Sequence, residues 1–207
     1  MFKNRLTLPT ILVLVALVLC SLLTNNHAQA NNSNAAVKET ELLQDAEALR
    51  KYSELSGLTK ADRKVSFSLM SAEDKSMLWR VHLGLNLARH PEWTEQQRSI
   101  VLEAMAMVTP KLYKTPKDTN WTRLVDEPVR LLTQKALLVF NKEEGAALFA
   151  ELGFSEQPKL NHPQRTRTCA CSQESDWCGN QCITSQCTIL TWGCGTFGIY
   201  ACNGNCN

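Results

Sequence analysis

Residues 169–207 read CACSQESDWCGNQCITSQCTILTWGCGTFGIYACNGNCN. This stretch holds eight of the chain's nine cysteines: Cys169, Cys171, Cys178, Cys182, Cys187, Cys194, Cys202 and Cys206. Residues 31–168 contain none, and the ninth, Cys20, lies in the N-terminal apolar run. An even number of thiols packed into one short terminal stretch is what an exported miniature domain needs and a chain kept in a reducing cytosol does not. A segment of this length cannot bury enough apolar surface to fold by itself, and each disulfide supplies about 2–4 kcal/mol by restricting the unfolded chain. The expectation is a small disulfide-rich module with all eight cysteines paired, and spacing alone leaves every pairing open. Zinc is the competing reading, since Cys169-Ala170-Cys171 and Cys178-x-x-x-Cys182 approach ligand spacings. The paired C-x-x-C knuckles of zinc ribbons are missing, so no metal and no cofactor are expected.

The N-terminus agrees with export. Lys3 and Arg5 precede an apolar run from Ile11 to Leu23, and Ala28-Gln29-Ala30 offers a small-x-small cleavage site. The run is shorter than the ~20 apolar residues a membrane span requires. Residues 1–30 therefore read as a secretory signal peptide, with no transmembrane anchor after its cleavage and a secreted or cell-envelope destination. Cys20 follows Leu19, where lipoprotein processing requires a small residue, so it reads as an apolar filler of the signal. The 22 Lys+Arg and 20 Asp+Glu nearly balance, which argues against nucleic acid as a partner. No Lys or Arg follows Arg167, whereas Glu174 and Asp176 make the tail acidic. That charge is wrong for simple attraction to anionic membranes.

Between the two ends, a polar segment at 31–36 precedes a stretch with helical periodicity, 37–154. Leu42, Ala46 and Leu49 predict a first helix near 38–55. Thr59 to Met70 holds Val65, Phe67 and Leu69 in strand-like alternation, but Ala61, Val65 and Leu69 fit a helix and the neighbouring segments favour that choice. Ser71-x-x-Asp74 and Thr94-x-x-Gln97 have capping-box spacing ahead of two further helices, the first ending before Pro91 and the second at Thr109-Pro110. Lys111 to Trp121 reads as a surface connection. Asp126, with Pro128 in the first turn, opens another helix. A last one starts between Asn141 and Glu144 and runs through Phe149 and Leu152 to Gly153. The fold class is thus an all-α helical domain followed by a small disulfide-rich C-terminal module at 169–207, joined by a Pro- and Arg-bearing linker at 155–168.

No HExxH, GxSxG or glycine-rich phosphate loop occurs, so no catalytic residue is expected and the chain reads as a non-enzyme. His82 and His90 read as structural, Glu143-Glu144 as acids favoured at a helix start, and Trp79, Trp93 and Trp121 as core or boundary aromatics. In the tail, Trp177, Trp192, Phe197 and Tyr200 are more aromatic surface than so small a module can cover. They are the candidates for contact with a target. Arg165 and Arg167 in the linker are the candidates for proteolytic processing.

The tail resembles fulvocin C and the bacteriocin fulvocin C-related proteins. The resemblance is carried by Cys169-Ala-Cys171-Ser172-Gln-Glu-Ser175-Asp176-Trp177-Cys178, by Gly193-Cys194-Gly195-Thr196, and by Tyr200 with Cys202-Asn203-Gly204. It implies an antibacterial peptide made as a larger exported precursor, with the helical region as leader, folding aid or inhibitor and a receptor or lipid of a target bacterium as partner. The alternative is a non-toxic secreted or envelope protein whose tail stays attached as a binding module.

Overall fold

The computed structural model describes residues 45–118, 120–153, 168–175, 177, 182–184 and 186–206, the last by its backbone only. The signal-peptide reading, the segment 31–36, the start of the first expected helix, Cys178, and Arg165 and Arg167 lie outside the described residues.

Among the described residues seven α-helices form the body: α1 (Ala46–Ser56), α2 (Lys60–Leu69), α3 (Ala72–Arg89), α4 (Glu95–Met107), α5 (Pro110–Lys114), α6 (Glu127–Leu137) and α7 (Lys142–Phe149). Their starts follow from local chemistry. Asp45, Thr59, Ser71, Thr94 and Asn141 each accept from backbone N–H groups of the first turn, which have no partner within the helix. At Thr94/Gln97 and Asn141/Glu144 the reciprocal bond is also made, completing two capping boxes. The strand-like alternation in 60–69 loses to a capped helix, in which Arg63 and Phe67, four residues apart, share the buried face.

Helix α3 is the hub. It carries buried residues on more than one face, from Lys75 and Ser76 to Leu87, and packs against α1, α4, α5 and α7. One side meets Ala48, Tyr52 and Leu55 of α1 through Leu78 and Val81. The other enters the main core through Trp79, Leu83 and Leu87.

Three details depart from the sequence expectation. The stretch read as a surface connection contains α5, begun by Pro110, whose ring suits a first helical turn; its Leu112 and Tyr113 are buried. Asp126 stands at the N-cap position of α6, with Pro128 in the first turn as expected, but not as a capping residue. It lies inside helical backbone, at the end of a π-helical turn (Thr122–Asp126) that runs straight into α6, and makes no cap bond. Helix α7 ends at Phe149, while the left-handed Gly153 follows three residues beyond its Ala150 cap.

The tail is built from short antiparallel pairs. β1 (Cys182–Ile183) pairs with β4 (Asn205–Cys206), and β2 (Leu190–Cys194) pairs with β3 (Tyr200–Cys202) across a 3₁₀ turn at Thr196–Gly198. Disulfides join Cys169 to Cys187, Cys171 to Cys182 and Cys194 to Cys202, with Cα separations of 5.0, 5.9 and 5.2 Å. Cys169 and Cys171, two residues apart, are thus bridged to different parts of the tail, to Cys187 and to Cys182.

The expected separateness of the tail is corrected by its packing. The described residues of body and tail belong to one compact unit. Strand β2 lies along α2, the 3₁₀ turn packs on α7, and Trp177, Phe197, Ile199 and Tyr200 belong to the same apolar cluster as Trp79, Val129 and Phe149.

Candidate functional site at the seam of body and tail

The four aromatic residues expected to meet a target are held by the body. Phe197 is 0% exposed, Tyr200 2% and Trp177 6%. Phe197 meets Trp79 and Phe149 edge-on, with ring centroids 5.7 and 6.3 Å apart, and Trp177 stacks on Phe149 at 6.1 Å. Burying side chains of this size stabilises by about 1.5–3 kcal/mol each. For Trp177, Phe197, Ile199 and Tyr200 together that is on the order of the whole stability of a small domain. These groups cannot serve as contacts while the tail is docked. Only Trp192 remains half-buried: its ring lies edge-on to Tyr113, with the ammonium groups of Lys75 and Lys117 5.4 and 4.7 Å from its centroid.

Several polar groups at the seam are paired in sequence, although the indole N–H groups of Trp79 and Trp121 are buried there without a hydrogen-bond partner. Trp177 Nε1 donates to Thr196 Oγ1 (2.8 Å), and Thr133 Oγ1 donates to the Val129 carbonyl (2.9 Å). A hydroxyl has one proton, so the 2.8 Å contact between the two threonines has Thr196 as donor. The result is a one-way chain from the tail indole to the α6 backbone. Tyr113 donates to the Phe197 carbonyl (3.0 Å), and Tyr200 to Asp126 Oδ1 (2.7 Å). Burial raises both phenol pKa values, and the Asp126 carboxylate adds to the shift at Tyr200. Lys64 donates to the Ala170 carbonyl. Asp126 thus serves the tail rather than a helix start, and sequence spacing carried no sign of it.

Two backbone features make this approach feasible. Gly145 in α7 lies under the Trp177 indole, where an added Cβ would sit 2.6 Å from the ring. Phe197 adopts φ 55°, a left-handed conformation rare outside glycine, and is followed by Gly198 at φ 65°. At Gly198 a Cβ would meet Phe67 at 2.7 Å.

Beside the buried seam runs an open cleft, with Lys60, Lys64, Lys142 and Glu151 from the body and Ser175, Trp177 and Gly195 from the tail along its walls. Lys60 is paired with Glu151. On the tail's outer side, Ile189 (66% exposed) and Ile183 are the large apolar groups facing solvent. Strand alternation explains Ile183, which follows the buried Cys182.

The remaining sites of interest have structural roles. His82, fully buried, lies with Nδ1 2.8 Å from the Tyr52 hydroxyl and Nε2 3.2 Å from the Ala147 carbonyl. Its Nε2–H donates to the carbonyl and its Nδ1 accepts from Tyr52, and burial depresses its pKa to about 4. The same burial pushes the Tyr52 phenol up to about 12. His90 stacks on Trp93 at 4.6 Å, Glu144 completes a cap, and Trp79 and Trp121 are core residues. Among the described residues no group of three or more His, Cys, Asp or Glu could hold a metal ion, and no helix is long and apolar enough to cross a membrane.

The chain matches no family model, no curated protein and no solved structure.

Proposed function

We propose that this chain is an exported precursor of a fulvocin C-like antibacterial peptide, in which the cysteine-rich tail is the active module and the helical body folds it and keeps it masked. The observation that carries the reading is the insertion of Trp177, Phe197 and Tyr200 into the body: the apolar groups suited to a bacterial receptor or lipid are covered until the tail leaves. The three disulfides point to an oxidising compartment, in keeping with export through a cleavable signal peptide. No catalytic arrangement enters the reading, and Arg165 and Arg167 remain its processing sites. The test is growth of a panel of bacteria with the purified, oxidised tail. Inhibition by the oxidised form but not the reduced form supports the precursor; no inhibition by either sinks it.

A second reading, a non-toxic exported protein with its tail attached as a binding module, is favoured by the Trp177-to-Val129 hydrogen-bond chain, which treats body and tail as one interior. Intact-mass analysis of the secreted material separates the two. A fragment beginning near Arg167 and lighter than its reduced sequence by eight hydrogens, one per cysteine, supports processing. Full-length mature chain alone supports the attached module.

A further inference from the structure

We infer that the helical body is a receptor for the tail, so that a chain cut between residues 154 and 167 stays together as a two-chain complex. Residues 31–168 contain no cysteine, so no disulfide within the mature chain can tie body to tail, and the three described bridges run from tail to tail. What holds the tail after a cut is the seam alone. Its make-up is that of a strong interface, with aromatic anchors seated in desolvated pockets and buried polar groups paired across the contact. Phe197 fills the space between Trp79 and Phe149, Trp177 lies on Gly145, and hydrogen bonds cross from Tyr113, Asp126 and Thr133.

The partner this surface fits is residues 168–206 in their oxidised form. Phe197 reaches its pocket from a left-handed turn closed between β2 and β3, and the Cys194–Cys202 bridge spans that hairpin. Reduction removes the constraint on the turn, and with it the preorganisation of the anchor. A covalent tether of this length supplies an effective concentration of roughly millimolar. Cutting it at micromolar protein therefore weakens apparent association about 1,000-fold, a loss that an interface with these anchors withstands. Proteolysis alone then does not free the tail. Where the precursor reading holds, release of the oxidised tail needs a second event beyond the cut, such as competition by the target for the tail's aromatic groups; the complex itself does not rest on that reading.

The experiment uses the full mature chain, oxidised, with a site-specific protease sequence placed within 154–167. The uncut protein is checked for helical content, cut to completion, and run on size exclusion at micromolar concentration with mass analysis of each fraction. Both fragments are expected at the elution volume of uncut protein, separating after addition of reductant. A tail fragment eluting alone from the oxidised, native sample would overturn the inference. The growth assay reads the precursor proposal separately, since a tail that fails to inhibit bacteria leaves the co-elution result standing.

Discussion

A glycine inside a helix is less favourable than alanine by about 1 kcal/mol, yet Gly145 occupies α7 and is buried. The Trp177 indole explains it, because an alanine methyl would lie 2.6 Å from the ring. Gly145→Ala should therefore lower stability by about 1–3 kcal/mol in urea unfolding, against the helix propensity gained; a stabilised variant would contradict the docking of Trp177. His82 gives a second residue-level test. Its folded pKa, about 4, lies below the ordinary 6.5, so the unfolded chain binds the proton more readily. Stability from this group is complete above about 6.5 and falls as pH drops towards about 4, by on the order of 3 kcal/mol in total. Urea midpoints that stay level across that window would contradict a buried neutral imidazole. The structural role of His82 was legible in the sequence because nothing around it had ligand spacing. The left-handed Phe197 was not: a non-glycine residue at positive φ leaves no local signal, and its position depends on Tyr113, eighty-four residues away.

Helix starts were readable because capping is local chemistry. Thr94 with Gln97 forms the expected reciprocal bonds; Ser71 accepts from the Asp74 N–H without the reciprocal bond, and Asn141 with Glu144 completes a box where the sequence reading places only a helix start. The misreadings have the opposite character. Asp126 carries acidic, Pro-adjacent features of a helix start, but its carboxylate is engaged by Tyr200 from the tail and by Arg130. Lys111 to Trp121 looks polar, yet Leu112, Tyr113 and Trp121 complete the core beneath the tail. At this scale the contact between α6 and the 3₁₀ turn is testable through Thr133. Thr133→Val removes the acceptor of the Thr196 hydroxyl and leaves a buried donor without a partner, costing about 1–3 kcal/mol. Pairing it with Thr196→Val in a double-mutant cycle should show coupling of at least about 0.5 kcal/mol. Strict additivity in denaturant unfolding would mean that the two hydroxyls do not interact.

For the molecule as a whole, the cysteine count identified a disulfide-rich tail behind a helical body, and both are present. What composition could not say is where the tail's aromatic residues point. Eight cysteines justify a self-sufficient module, and nothing local distinguishes a Phe197 buried in that module from one buried in another element. The partners are Phe67, Trp79, Tyr113, Trp121, Val129 and Phe149, spread over helices and connections far away in sequence. Their convergence makes the tail part of one interior. Body and tail should then open together, because exposing Phe197 or Trp177 exposes the core of α3 and α7 as well. Native-state hydrogen exchange on the oxidised protein tests this most directly, comparing the amides of Gly198 and Ile199 in the tail with that of Leu83 in α3. Opening free energies equal within about 1 kcal/mol are expected; tail amides that open several kcal/mol more easily than Leu83 would show a separately folding module and contradict the shared core.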